Sequence, residues 1–380
     1  MQLNLTAAQT ETRDAAAAAA RVLLAPAAAE LDATERFPGE TLQKLGRNGL
    51  LGVNIAREHG GRGAGVAAYA LAVRELAGAC AGTTVGMMVT NMVAEAIQRF
   101  GDAAQKAHYL PRITGGVWPA AGFSLSEPGS GSDAASLRTR AVRDGDHYVL
   151  DGTKAWVTSG GHAGVYLVMA STDPAARARG ISAFLVDADT PGLSAARPEE
   201  KMGLHASTTT QLVLEGARVP ESRRLGPEGI GFKIAMSSLD GGRIGVSAQA
   251  CGVATHALRL AREHLQAVAE DPPVDFPEKQ RLLADCVVEL DAGWLLCLRA
   301  AALKDAGASL VREAAMAKLY CTEMAHRVCQ RALRIIGADG FTRGHAAEQL
   351  LRDVRVMRIY EGTSEVQRIV IAREVLRGVA

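Results

Sequence analysis

The sequence contains no Cys-x-x-Cys pair, although six cysteines are spread between residues 80 and 329. All of them except Cys80 lie in apolar stretches with helical periodicity. Free thiols buried in a core are the expected result of this pattern, because cysteine behaves as a small apolar side chain. The spacing therefore argues against a disulfide framework or a metal site.

Long apolar runs and an excess of one charge are also missing. The 42 basic and 41 acidic residues leave a formal net charge of +1, which argues against a nucleic-acid partner. The longest apolar runs, such as residues 165–170, are far too short to span a membrane. The first residues contain neither the basic segment nor the apolar core of a signal peptide. We therefore expect a cytoplasmic protein that binds neither nucleic acid nor a membrane.

The sequence has no strand that leads through Gly-x-Gly-x-x-Gly into a helix, which argues against a Rossmann dinucleotide-binding domain. The glycine-rich stretch 59–65 lacks a Gly-Lys-Ser/Thr ending, and we interpret it as a turn. His162, His205 and His345 do not have the spacing of metal ligands, so no metal is expected.

A chain of 380 residues is too long to form one simple core, and its pattern of apolar residues changes twice along the sequence. Residues 1–118 are rich in alanine and predict a helical domain. Residues 119–228 show a period near two, which predicts an antiparallel β-barrel or sandwich. Residues 229–380 contain three long segments of apolar helical periodicity, which predict a helical bundle. The expected fold class is α+β, with a helical, a β and a helical domain in that order.

Within the middle domain, two Asp-Gly pairs at residues 144–145 and 151–152 have the composition of hairpin turns. We expect a hairpin at each of them.

Three ordered segments resemble signatures of the acyl-CoA dehydrogenase family. They are residues 123–133 (Phe-Ser-Leu-Ser-Glu-Pro-Gly-Ser-Gly-Ser-Asp), 154–161 (Lys-Ala-Trp-Val-Thr-Ser-Gly-Gly) and 359–368 (Ile-Tyr-Glu-Gly-Thr-Ser-Glu-Val-Gln-Arg). A fourth stretch, residues 229–245, looks closest to the short-chain members. Together they extend over nearly the whole chain. The resemblance implies a helical domain, a β-barrel, a four-helix bundle and an FAD cofactor.

The activity implied by the resemblance is α,β-dehydrogenation of an acyl thioester, in which Glu361 is the base. The chemistry needs a base at the α-carbon and stabilisation of the carbonyl oxygen. It also needs a redox cofactor, because no side chain accepts a hydride. Glu361 lies between an apolar helix end and Gly362, where shielding from water would raise the pKa of its carboxyl. Outside the motif, an ordinary solvated glutamate would be the simpler interpretation. The resemblance also implies that the Glu361 N–H helps to hold the thioester oxygen.

The resemblance further implies where the cofactor and the substrate bind. Ser126, Trp156 and Thr158 match positions that touch the isoalloxazine ring, where hydroxyls bond its polar edge and the indole packs on its face. A tryptophan buried in the barrel is the alternative for Trp156. The implied cofactor residues are Phe123, Leu125, Ser126, Gly131, Ser132, Trp156, Val157, Thr158, Arg334, Gly337, Thr363, Ser364 and Glu365. The implied substrate residues are Ser132, Asp240, Arg243 and Gly362; for Asp240 and Arg243 an i,i+3 salt bridge is a strong alternative.

Residues 364–367 have the spacing of a capping box, with Ser364 as the N-cap and Gln367 returning to the backbone. The last helix would then begin directly after Glu361. Because helix N-termini favour anions, Thr363 and Ser364 could serve both the helix and a cofactor phosphate.

The chain departs from the family pattern after the first bundle helix. The family has Tyr-x-x-x-Arg-x-x-Phe-Gly there, and its Arg and Phe reach the FAD of a neighbouring subunit. This sequence has Gln266 and Ala269 at those two positions. We hypothesise that Arg334 supplies the missing charge, since a guanidinium pairs well with a pyrophosphate. An Arg334→Gln variant should then retain less FAD after gel filtration, and an unchanged flavin content would contradict the hypothesis.

The expected partners are a short-chain acyl-CoA, an electron-transfer flavoprotein or similar acceptor, and further copies of the chain in a homotetramer built as a dimer of dimers. Three alternatives stay open. The acyl group could be held by an acyl-carrier protein, the chain could be a weakly active or non-catalytic subunit of a heteromer, or it could be an oxidase or monooxygenase. Retention of Glu361, Trp156 and Thr158 argues against a non-catalytic subunit, while loss of the loop motif argues for one.

Overall fold

The computed structural model describes residues 4–378, and it begins with a helical part. Its helices are α1 (Ala7–Ala19), α2 (Ala28–Thr34), α3 (Gly39–Arg47), α4 (Gly65–Ala79), α5 (Ala81–Phe100) and α6 (Ala103–Thr114). A capping box between Thr6 and Gln9 starts α1. A short π-helix (Ala20–Leu24) and a 3-10 turn that contains Pro26 separate α1 from α2.

A seven-stranded sheet follows the first six helices. Its strands are β1 (Gly122–Ser124), β2 (Arg140–Asp144), β3 (His147–Thr158), β4 (Val165–Ser171), β5 (Ile181–Asp187), β6 (Leu193–Ala195) and β7 (Thr209–Pro220). The order is β1-β4-β2-β3-β7-β6, and β5 pairs with β4. The sheet is mostly antiparallel, as predicted, but β1 and β2 both pair with β4 in parallel. They can do so because neither is joined to β4 by a hairpin.

Only one of the two Asp-Gly pairs turns the chain. The pair 144–145 connects β2 to β3 in an antiparallel hairpin. The pair 151–152 lies inside β3, at a β-bulge in its pairing with β7, so the prediction of a second hairpin was wrong. A Cβ at Gly152 would lie 2.8 Å from the Cα of Thr139. The glycine is needed there for close approach of two backbones, which has the same sequence signal as a turn.

The remaining chain forms the C-terminal bundle. Its helices are α7 (Gly231–Ala267), α8 (Phe276–Asp305), α9 (Val311–Ile336), α10 (Ala346–Arg355) and α11 (Ser364–Leu376). The largest apolar core joins α4 and α5 to α7, α8 and α9. A second core joins α5 and α6 to the sheet, and a third lies against the sheet itself. The N-terminal helices therefore pack on both the bundle and the sheet.

The six cysteines are free and buried, as the sequence predicted. Within residues 4–378, no group of three or more His, Cys, Asp or Glu side chains could hold a metal ion. None of the described helices is both long and apolar enough to cross a membrane.

Candidate active site

Glu361 lies at a sharp bend between a short 3-10 turn (Val356–Arg358) and α11. Its φ is +55°, and that of Gly362 is +92°. A left-handed conformation is uncommon for a glutamate and often marks a functional position. The bend places the Glu361 carboxyl against α7, where a Cβ at Gly242 would lie only 2.9 Å from its carboxyl carbon. Only glycine at position 242 leaves room for this carboxyl.

The environment of the Glu361 carboxyl makes it a weaker acid than an exposed glutamate. Burial raises its pKa to about 7, while the nearby cations of Arg243 and Lys318 oppose that rise. Its Oε2 atom is buried and has no hydrogen-bond partner among residues 4–378. A carboxylate with a pKa near 7 and one free oxygen is suited to accept a proton at neutral pH.

Two side chains form hydrogen bonds with backbone carbonyl oxygens at the bend. Lys318, in the first half of α9, is fully buried, and its Nζ donates to the carbonyl oxygen of Gly362 at 2.7 Å. Burial lowers the pKa of Lys318 to about 8, and the charge of Glu361 opposes that change. Gln367 donates to the carbonyl oxygens of Glu361 at 3.2 Å and Gly362 at 2.9 Å. The backbone around Glu361 is therefore fixed by side chains from two helices.

The sequence did not indicate Lys318 as part of the site. The only available signal was a lysine within an apolar segment of α9, flanked by residues such as Ala317 and Leu319. A buried lysine needs a partner, but nothing in the sequence identifies the Gly362 carbonyl, 44 residues away, as that partner.

Asp240 and Arg243 form an i,i+3 ion pair on α7 at 2.7 Å, the alternative that the sequence suggested. The pair is also part of the Glu361 surroundings, because Arg243 is one of the two cations that lower the Glu361 pKa. Arg243 is buried, and its Nε has no hydrogen-bond partner within the described chain. Burial raises the pKa of Asp240, against the effect of Arg243.

The cap of α11 differs from the prediction by one residue. Thr363 is the N-cap, and its hydroxyl accepts from the N–H of Val366 at 3.3 Å. Ser364 is instead buried, and its hydroxyl donates to Glu323 of α9 at 2.6 Å. The prediction of Ser364 as N-cap was wrong because either hydroxyl fits the spacing, and only the tertiary contact with Glu323 decides between them. Gln367 does return to the backbone, but it donates to carbonyl oxygens.

The N-terminus of α11 already has a carboxylate beside it. Glu365 is exposed, and its own N–H and the Thr363 hydroxyl lower the pKa of its carboxyl. The helix end thus favours negative charge, as expected from its dipole.

In the middle domain, a buried ion pair joins two of the segments that resemble family signatures. Lys154 Nζ lies 2.7 Å from Glu127 Oε1, and the two side chains are 0% and 7% exposed. Glu127 also accepts from the N–H groups of Arg138 at 2.6 Å and Thr139 at 2.9 Å. Burial lowers the pKa of Lys154 to about 8. Burial by itself would raise the pKa of Glu127. Lys154 and the other donors nevertheless keep that pKa below its usual value.

Trp156 lies two residues after Lys154 in β3. It has φ +59° and lies where the β3–β7 register shifts, and its side chain is 64% exposed. The alternative of a tryptophan buried in the barrel is therefore wrong. Ser126 and Thr158 are half-buried, and the Ser126 carbonyl accepts from the N–H next to Trp156, that of Ala155, at 2.8 Å. An exposed indole beside two accessible hydroxyl side chains fits a planar ring with a polar edge.

The other middle-domain candidates differ in what they can offer a ligand. Leu125 and Val157 are buried in apolar cores, so only their backbone groups are available. Phe123 is half-buried between two cores. Gly131 and Ser132 are exposed, and a Cβ at Gly131 would meet no atom within 4 Å. This loop is open and could receive a bulky group such as a pyrophosphate. Together with Trp156, these residues fit FAD.

Arg334 and Gly337 lie far from Glu361 within one chain. Arg334 is exposed in the last turn of α9, and Gly337 ends that helix with φ +87°. Lys318, which contacts Gly362, lies earlier in the same helix, so about 24 Å of α9 separates it from Arg334. The structure thus brings Arg243, Lys318 and Gly362 to Glu361, but not Arg334 or Gly337.

Three family descriptions match the chain in order: Acyl-CoA dehydrogenase, N-terminal domain, over residues 6–117; its middle domain over 122–217; and its C-terminal domain over 229–376. The mitochondrial short-chain specific acyl-CoA dehydrogenase of Bos taurus is 42% identical, covering 93% of this chain and 86% of that protein. A short-chain specific acyl-CoA dehydrogenase of Clostridium acetobutylicum is 39% identical, covering 99% and 100%. The structure of butyryl-CoA dehydrogenase from Megasphaera elsdenii superposes with a TM-score of 0.96 at 37% identity, covering 99% and 100%.

Proposed function

Because the chain belongs to the acyl-CoA dehydrogenase family of FAD-dependent oxidoreductases, we propose that it desaturates a short-chain acyl-CoA with Glu361 as the base. The observation that supports the role of Glu361 is its carboxyl: it has a pKa of about 7 and a free, buried oxygen. The left-handed bend that presents it is held by Lys318 and Gln367.

In the proposed reaction, Glu361 removes a proton from the α-carbon of the acyl group. FAD, when bound, supplies the acceptor for the β-hydrogen and its two electrons, so that a C=C bond remains between the α- and β-carbons. The proton stays on Glu361 until product leaves and then passes to water. Arg243 and Lys318 favour the carboxylate form before the reaction, because both cations lower the Glu361 pKa. The Glu361 N–H is proposed to donate to the thioester oxygen as negative charge develops there.

The middle domain is proposed to hold the cofactor. Trp156 would pack on the ring, while Ser126 and Thr158 would bond its polar edge, as their exposure allows. The open loop at Gly131 and Ser132 would receive the phosphates. At the other end of the site, Thr363, Ser364 and Glu365 start the helix that follows Glu361.

The names of the relatives support a short acyl chain. Two of the proteins described above are named as short-chain specific, and the third is a butyryl-CoA dehydrogenase. A four-carbon acyl-CoA is therefore the first substrate to test.

We also propose a homotetramer that passes its electrons to an electron-transfer flavoprotein. About 24 Å of α9 separates Arg334 from Lys318, which contacts Gly362, so we propose that Arg334 contacts the FAD of another subunit. Exposed apolar side chains on the bundle are consistent with subunit contacts; they include Val287, Val288, Leu295, Ile369 and Leu376.

The function can be tested by recording the flavin spectrum of the purified chain and adding acyl-CoAs without oxygen. Butyryl-CoA is expected to bleach the flavin, since its two electrons reduce it. Bleaching only by a butyryl group on an acyl-carrier protein would instead indicate a carrier-protein substrate. A protein that stays colourless with added FAD would contradict the proposal and indicate a non-catalytic subunit. Rapid reoxidation by air would indicate an oxidase.

A further inference from the structure

The backbones of helices α4 and α7 are in contact at Gly252 but not at Gly245, which lies nearer to Glu361. At Gly252 of α7 their backbones are in contact: a Cβ there would lie 2.9 Å from the Cβ of Ala77 and 3.1 Å from the carbonyl carbon of Arg74. Two turns earlier, at Gly245, the neighbour from α4 is the hydroxyl at the tip of Tyr69, 2.7 Å from a Cβ. A tyrosine side chain thus spans the gap at Gly245. The space between the helices is therefore wider at Gly245 than at Gly252.

The wide end of this gap contains the Glu361 carboxyl, and its narrow end is closed. Gly242, Gly245 and Gln249 follow i, i+3, i+7 spacing, so they lie on one face of α7. Gln249 donates to the Ala81 carbonyl at 3.0 Å and accepts from the hydroxyl of Tyr360. These bonds tie α7 to α5 and to the segment before Glu361. A chain that enters beside Glu361 can therefore extend only as far as Tyr69.

Tyr69 is only 4% exposed, and its hydroxyl forms no hydrogen bond within residues 4–378. Burial raises the pKa of Tyr69, and the charges of Glu95 and Glu361 raise it further, so the phenol is neutral. Met88 of α5 lies beside it, with its Cε 3.3 Å from the same Cβ position.

We propose that Tyr69 and Met88 form the floor of the acyl pocket and limit the length of the acyl chain. This inference rests on the proposed function and names the residues that select its substrate. Cβ positions three residues apart on a helix are about 5–6 Å apart, so the Glu361 carboxyl carbon and the Tyr69 hydroxyl are at most about 12 Å apart. The α-carbon must lie about 3 Å from the carboxylate oxygen. The remaining space accepts only a few further carbons.

The floor can be tested with S-butyl-CoA and S-octyl-CoA, thioethers that the enzyme cannot oxidise. Their dissociation constants for the FAD-loaded protein are measured by isothermal titration calorimetry. The wild type is expected to bind S-butyl-CoA more tightly. Tyr69→Ala should shift the ratio of the two constants towards S-octyl-CoA by about tenfold or more, since each methylene contact changes discrimination by roughly tenfold or more. Tyr69→Phe, which keeps the ring and removes only the hydroxyl, should leave the ratio within about twofold.

Equal binding of the two thioethers by the wild type would overturn the proposal. So would an unchanged ratio in a Tyr69→Ala protein that retains its flavin and melts cooperatively. If Tyr69→Ala does not fold, the two dissociation constants are measured for Met88→Ala, which shortens the floor residue that comes from α5. An unchanged ratio of the constants in that variant would then overturn the proposal. Because the thioethers are not turned over, these outcomes are independent of flavin bleaching by butyryl-CoA, which tests the proposed function.

Discussion

Replacing Glu361 with glutamine is expected to slow flavin reduction by butyryl-CoA about 10²- to 10⁴-fold, the usual contribution of a positioned base. Glutamine has the same shape and fits the space that Gly242 leaves, but its amide cannot take up the α-proton. Flavin content and S-butyl-CoA binding should therefore change little. Anaerobic stopped-flow absorbance measures the rate. A variant that reduces its flavin at the wild-type rate would show that Glu361 is not the base.

The same assignment fixes the pH dependence. Glu361 acts only when deprotonated, so kcat/KM should rise with pH through about 7 and level off above it. Lys318→Met removes one of the two cations that lower the Glu361 pKa, so the midpoint of this rise in kcat/KM should move to higher pH. Gln367→Met removes another hydrogen bond to the Gly362 carbonyl but no charge. It can lower kcat but should leave the midpoint unchanged. Equal shifts in both variants would contradict the electrostatic role of Lys318.

Breaking the Glu127–Lys154 pair is expected to have the largest effect on stability. Lys154→Met leaves Glu127 buried without its cation, and the loss of one partner of a buried pair costs about 3–5 kcal/mol. Glu127→Gln should cost less, because burial already lowers the pKa of Lys154 to about 8 and the lysine can lose its proton. The pair joins segments 123–133 and 154–161, so FAD retention should fall along with stability. Denaturant unfolding and flavin content measure the two effects.

The matched control is an exposed ion pair on the same sheet. Arg218 and Asp144 are 2.6 Å apart, and their side chains are 54% and 59% exposed. Arg218→Met should cost no more than about 1 kcal/mol, because water screens exposed pairs. In addition, the double variant Glu127→Gln/Lys154→Met should recover part of the stability lost in Lys154→Met. Equal losses in Lys154→Met and Arg218→Met would show that burial is not the cause.

Regular elements were predictable where one periodicity persists over many residues. The segments 233–265, 277–306 and 309–336 correspond to helices α7, α8 and α9, with ends that differ by a few residues. Each of these helices is long, and its apolar stripe repeats many times before a glycine or proline ends it. The family that the motifs suggested is confirmed by its three matching domain descriptions.

The short strands were not predictable in the same way. Strands β1 and β6 have three residues each, and an alternation of apolar and polar residues cannot be recognised over so short a segment. The pair 151–152 was interpreted as a turn, although it lies in a bulge, because the sequence does not show which backbone a glycine must approach.

The sequence by itself determined the order of the domains, the long helices, the family, and Glu361 as the candidate base, since each follows from periodicity or from a contiguous motif. Tertiary structure alone decided what surrounds that glutamate. Gly242 leaves it space, Lys318 fixes its backbone, and burial moves its pKa to about 7. These residues come from separate helices, and their effects depend on distance and exclusion of water. Neither quantity exists until the chain has folded.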